Sequence, residues 1–266
     1  MLILLVSRAG GKEVVYIGST PANSAVVRNF LGIPLTDSVD FIKWKLYSFN
    51  DHYTLQCQFG ISKPNTDGFM NEDQKVEIKG QVRKEKNYWY LHDGSKILKI
   101  LELNSNLLHL LDDDNNLLVG NGGWSYTINS NKPSSSDRIN FFSTQKLLKD
   151  SIAFEGRTPC RDFPENHPGP NCVKKKWYVI LYADPKTNQP ATYHLNGNYR
   201  REGGTRGTWK ITKGKDGRII YQLYSEKENA SIYLLKLDEN ILAFTDEQGN
   251  LLVGDKNFSF TLNKRW

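Results

Sequence analysis

The stretch Ile97–Asn129 constrains this chain most, because the chain contains it twice. It reads ILKILELNSNLLHLLDDDNNLLVGNGGWSYTIN, and SIYLLKLDENILAFTDEQGNLLVGDKNFSFTLN returns over Ser231–Asn263. The run Leu117-Leu118-Val119-Gly120 recurs unchanged as Leu251-Leu252-Val253-Gly254, while Trp124, Tyr126 and Ile128 become Phe258, Phe260 and Leu262. Polar turns cut the apolar runs at Asn104-Ser105-Asn106 and Asp112-Asp113-Asp114-Asn115, and again at Asp238-Glu239-Asn240 and Asp246-Glu247-Gln248-Gly249. Each copy therefore reads as three short strands joined as tight hairpins. The last strand alternates, with Trp124, Tyr126 and Ile128 on one face and Ser125, Thr127 and Asn129 on the other. That pattern predicts one face in a core and one in water. The chain is a tandem duplication of one all-β domain.

The rest of each half keeps step. Tyr16-Ile17-Gly18-Ser19-Thr20-Pro21 answers Phe154-Glu155-Gly156-Arg157-Thr158-Pro159, Phe41–Phe49 answers Lys176–Ala183, and Tyr53–Phe59 answers Tyr193–Tyr199. Gly80-Gln81-Val82-Arg83 and Gly207-Thr208-Trp209-Lys210 each open a further hairpin, with Lys215-Asp216-Gly217 and His92-Asp93-Gly94 as turns. Eight to ten short antiparallel strands per half fit a small up-and-down barrel, which removes exposed sheet edges by closing. With 266 residues, the halves have an ordinary domain size. The expected division is 1–140 for the first barrel with its following linker and 141–266 for the second.

Local differences mark the connections. Ser24–Gly32 (SAVVRNFLG) predicts a short helix ending at the glycine, whereas Cys160–Cys172 carries Pro164, Pro168 and Pro170, which no helix accommodates. Ser130–Arg138 reads as an exposed linker. Phe141–Asp150 predicts a helical turn or two, and the pair Phe141-Phe142 is expected to pack between the domains, fixing their relation. Cys57 shares a strand face with Tyr53, Leu55 and Phe59 and is expected to be buried and reduced. The formal charge of +6 is scattered, and its densest run, Lys174-Lys175-Lys176, reads as the solvated edge of a strand, not a nucleic-acid surface. Met1–Val6 is too short for a complete export signal; it is the remainder of one or a first strand. No lipobox-like cysteine stands there, so membrane association is expected only through an anchor outside these residues.

Chemistry-bearing groups are sparse. Cys160 and Cys172 flank the eleven-residue loop RDFPENHPGPN. A disulfide closing it would constrain the unfolded chain by roughly 3 kcal/mol and would belong in an oxidising compartment. Two free thiols are the alternative, and with His167 they would make Cys160, His167 and Cys172 a soft-metal site for Cu(I) or Zn. The spacing matches no structural zinc pattern, so no metal is assigned. Asp112–Asp114 could hold calcium, but a solvated turn is the simpler reading. Gly203-Gly204-Thr205-Arg206-Gly207 leads into a strand and is a hairpin turn. No metalloprotease, nucleophile-elbow or phosphate-loop signature occurs, and no catalytic residue or cofactor is assigned. Tyr88, Tyr90, Tyr221, Tyr224 and Tyr233 are candidates to line a barrel interior, which is expected to be filled or to hold only a small apolar ligand.

Phe154-Glu155-Gly156-Arg157-Thr158-Pro159-Cys160, Gly207-Thr208-Trp209 and Thr245-Asp246-Glu247-Gln248-Gly249-Asn250 resemble the NlpE-type envelope proteins, named for a copper-homeostasis and adhesion-sensing outer-membrane lipoprotein. The resemblance covers most of 151–263, and more faintly 13–129 through the repeat. It implies a lipocalin-like barrel in the cell envelope, periplasmic or outer-membrane associated, without enzymatic activity. The chain departs from the family's Cys-x-x-Cys: position 163 is Phe163, and the first repeat has Ala22 after Pro21. Copper binding is therefore not carried over.

The leading expectation is a non-enzymatic envelope protein that binds or senses a partner protein or small molecule through two lipocalin-like barrels. The alternatives are copper or zinc handling through Cys160, His167 and Cys172, and a hydrolase or isomerase on a barrel scaffold.

Overall fold

The computed structural model describes residues 13–64, 66–136, 138–146, 150–160, 172–197 and 204–265. The strands are β1 (Val14–Pro21), β2 (Phe41–Phe49), β3 (His52–Gly60), β4 (Gln74–Glu85), β5 (Tyr88–Asp93), β6 (Lys96–Asn104), β7 (Leu107–Leu110) and β8 (Thr127–Ser130) in the first half. The second half holds β9 (Ser151–Thr158), β10 (Lys175–Ala183), β11 (Pro190–Gly197), β12 (Thr205–Lys213), β13 (Ile219–Ser225), β14 (Ala230–Lys236), β15 (Ile241–Thr245) and β16 (Thr261–Lys264). Each set of eight closes into an antiparallel barrel in sequence order, the up-and-down arrangement that lipocalins share. β10 pairs with β9 from Lys175 and with β11 from Trp177, so the lysine run opens an inner strand of the barrel, with Lys175 and Lys176 paired to β9 alone among the described residues.

The shared Gly-x-Thr-Pro signature has a structural cause. Thr20 and Thr158 each accept the buried indole N–H of a tryptophan, Trp44 and Trp177, at 2.8 Å in both barrels. A Cβ on Gly18 would meet Ile128 Cγ2 at 2.8 Å, and one on Gly156 would meet the Thr261 carbonyl at 2.7 Å. The glycines let β1 and β9 approach the strands that close each barrel.

Helix α1 (Ala25–Leu31) is the one sequence patterning predicts, capped by Ser24 and ended by Gly32 in the left-handed region at φ 71°. It buries Val27, Phe30 and Leu31 in the first barrel's core. Arg28 is buried beside them because its guanidinium donates to the carbonyls of Ala22, Pro34, Asp37 and Val39. The second barrel has Cys160–Cys172 at the matching point between β9 and β10.

Three expectations are corrected. The third strand of each repeated block shrinks to β8 and β16, because Leu111–Tyr126 makes a turn, one isolated bridge (Leu111↔Leu117) and irregular backbone. The face carrying Ser125, Thr127 and Asn129 is buried, not wet: Thr127 bonds to His109 and Ser125 of its own barrel, and Asn129 to Gly254 and Asp255 of the second. Of Phe141–Asp150, residues 141–146 form no helix and 147–149 lie outside the described residues; the Asn140 N–H bonds to Leu103 O on β6 at 2.7 Å and the Ser143 N–H to Lys236 O on β14 at 2.9 Å. The connector is thus pinned to both barrels, with Phe141 and Phe142 packed into the apolar cluster between them, as expected. The Met1–Val6 reading lies outside the described residues.

Candidate functional site

Among the described residues, buried side chains pack both barrel interiors. Leu46, Leu55, Leu91, Leu98, Ile100 and Tyr126 are among the buried residues of the first. Phe154, Val179, Tyr221, Leu234, Phe244 and Phe260 are among those of the second. Of the five tyrosines proposed to line them, only Tyr221 points inward, against Trp209 at 5.1 Å. Tyr88 and Tyr233 pack instead on the cluster between the barrels, Tyr224 is exposed, and Tyr90 stacks outside with Arg83. Cys57 is free and buried, and burial pushes its thiol pKa well up, as suits a small core side chain.

Cys160 and Cys172 form a disulfide with Cα atoms 6.0 Å apart. Both sulfurs are therefore committed, and metal binding there would first require reduction. His167, like residues 161–171 as a whole, lies outside the described residues. Part of the Gly203–Gly207 turn also lies outside them, though β11 and β12 pair as the hairpin requires. Among the described residues no cluster of histidine, cysteine and carboxylate side chains could hold a metal. The aspartate turns are self-satisfied: Asp112 accepts from Asn116 through N–H and Nδ2–H at 2.8 and 3.0 Å. Asp246 does the same with Asn250 at 2.8 Å for both.

What the fold builds lies between and beside the barrels. Leu101, Leu103, Leu107 and Leu111 from the first pack with Ile220, Leu235, Leu237 and Ile241 from the second. Gly254 N–H donates to Asn129 Oδ1 at 2.8 Å and Gly120 N–H to Asn263 Oδ1 at 2.7 Å. Asn129 Nδ2 also donates to Asp255 O at 2.9 Å. A Cβ on Gly120 or Gly254 would come within 2.1 Å of the carbonyl of Trp124 or Phe258, so the repeated Leu-Leu-Val-Gly must end in glycine. At one flank Arg157 lies over Trp124 at 5.4 Å, and burial pulls its pKa down despite Glu155.

Three clefts lie near the seam, and one of them is lined from both barrels. One of about 300 Å³ lies between the turns at Asn87 and Ser105 and the connector at Asn140. The next, about 410 Å³, runs from Asn106 and Ser134 to Asn250 and Val253 of the second barrel. It meets at Asp246 a third of about 460 Å³, which is walled by Ser231, Ile232, Tyr233, Phe244, Thr245 and Leu252. Sequence reasoning missed this last cleft. The signal was available where the two copies differ, at Lys99 against Tyr233.

The fold defines a tandem, filled, eight-stranded up-and-down barrel protein with an internal two-fold repeat. No protein-family model, curated protein or solved structure matches the chain.

Proposed function

We propose that this chain is a non-enzymatic binding or sensing protein of the bacterial cell envelope, and a divergent, internally duplicated relative of NlpE-type proteins. The observation that carries the reading is the Cys160–Cys172 bond, since such bonds persist where the surroundings are oxidising. Filled interiors direct recognition to the outside, and the pinned connector holds the clefts along the seam in fixed positions. Fixed clefts suit binding because little ordering is left to do when a partner arrives.

The test is a thiol count on protein recovered unreduced from the envelope fraction, alkylated before and after denaturation. One reactive thiol, Cys57, and only after denaturation, is the expected result. Three alkylated cysteines in the natively localised protein would sink the envelope reading.

A further inference from the structure

β14 pairs with β13 along its length, from Ile220↔Leu235 to Ser225↔Ala230. On its other side, β15 pairs with it only from Tyr233↔Thr245 to Lys236↔Leu242. Ala230, Ser231 and Ile232 therefore face no strand there. Past Thr245 the chain turns at Asp246 and returns on the far side of β15, where Leu252 N–H donates to Phe244 O at 3.0 Å. The result is an opening in the wall of the second barrel, the cleft of about 460 Å³.

In the first barrel Lys96–Leu98 likewise have no partner on β7, but the side chains there are arranged differently. Lys99, the counterpart of Tyr233, sends its Nζ to the Asp113 carbonyl at 2.6 Å, tying β6 to the turn. Leu98, the counterpart of Ile232, is fully buried. In the second barrel the Tyr233 hydroxyl accepts from Gln222 on β13 instead, and Ile232 is left half-buried. The two copies therefore differ in the side chains that line this place.

Its chemistry is that of a strand-receiving groove. N–H and C=O groups of successive strand residues alternate sides, so at least one of Ala230, Ser231 and Ile232 directs both toward the opening. Ile232, Phe244 and Leu252 supply apolar walls. The Thr245 hydroxyl is buried beside them without a hydrogen-bond partner. Glu247 is exposed and has no basic partner among the described residues; it accepts from Gln248 Nε2 at 3.1 Å.

We propose that this opening receives an extended peptide segment, which adds as a short strand along Ala230–Ile232, sets one apolar side chain against Ile232, Phe244 and Leu252, and offers a basic side chain to Glu247. Main-chain hydrogen bonds supply affinity in such strand addition, and alternate side chains supply specificity. This deepens the binding reading above by naming one site and one partner chemistry.

The experiment titrates full-length ¹⁵N-labelled protein with the blocked peptide Lys-Val-Thr-Val-Lys. Controls replace its threonine by proline or both lysines by glutamate, and laurate serves as an apolar non-peptide probe. Saturable amide shifts confined to 229–233 and 244–252 are expected with the lysine peptide and are lost with proline. Glu247→Lys should weaken binding about tenfold. Tyr233→Lys, which copies the first barrel, should abolish it while amides away from the cluster between the barrels keep their positions. Equal binding of the proline peptide, or saturation by laurate alone, overturns strand addition. Shifts elsewhere on the seam overturn this site but leave the binding reading standing; no shift with any probe counts against both.

Discussion

Asn129 and Asn263 hold equivalent places in the two repeats, and each accepts the N–H of the other barrel's equivalent glycine, Gly254 and Gly120. The exchange is not fully symmetric. Asn129 Nδ2 also reaches Asp255 O, whereas Asn263 Nδ2 is buried without a partner. Removing a partner from a buried N–H costs about 1–3 kcal/mol. Asn129→Ala is therefore expected to destabilise the protein by that amount and by more than Asn263→Ala. Urea unfolding of the two variants checks the order.

His109 sets an acid limit. Its Nε2 lies 3.0 Å from the Leu118 carbonyl, which can only accept, so Nδ1 takes the Thr127 hydroxyl at 2.8 Å. Burial holds the pKa down to about 4 from 6.5. Between those values the unfolded chain binds the proton and the folded one does not. Stability from this group is therefore full above pH 6.5 and falls as pH drops toward 4, by up to about 3 kcal/mol. His109→Ala, which copies Ala243 of the second repeat, should flatten that part of the profile in urea melts at pH 5 and 7.5.

The indole-capping threonines give a matched pair of tests. Thr20→Val and Thr158→Val each leave a buried tryptophan N–H without its acceptor. Each should cost about 1–3 kcal/mol, measured by chemical denaturation followed through tryptophan fluorescence. A cost in one barrel and none in the other would show that the repeated motif does different work in its two copies.

Reduction should act locally. Opening Cys160–Cys172 releases a short loop and is expected to cost about 3 kcal/mol. Hydrogen exchange should accelerate on β9 and β10 and leave β2 and β3 unchanged. Cys57 should resist alkylation throughout, because burial disfavours its thiolate.

Much of the fold is legible because the sequence repeats itself: a block found twice, with period-two strands, leaves little besides paired barrels. Helix α1 is legible through Ser24 and Gly32, and Cys57 through its strand face. Alternation reports polarity, however, and not what covers a face, so Ser125, Thr127 and Asn129 read as wet although His109 and the second barrel's Gly254 and Asp255 lie against that face. Tyr88, Tyr90, Tyr224 and Tyr233 fall out of phase with the interior, and a one-residue change of phase moves a side chain through the wall. Phe141–Lys146 loses its helix to backbone hydrogen bonds at Leu103 and Lys236, partners far away in sequence. The candidate cleft shows in the sequence only as the difference between Lys99 and Tyr233, which reads as a surface change until β14 and β15 are placed side by side.

A contact in which each residue meets its counterpart's neighbour is what two identical subunits make across a dyad. This chain has the contact geometry of a homodimer written into one polypeptide. In a true homodimer every substitution is made on both sides of the axis, so a lysine that ties down one strand ties down both. Joined end to end, the halves are released from that rule: Lys99 can tie its strand to the turn at Asp113 while Tyr233 reaches Gln222 instead, and the shared interface still holds them together.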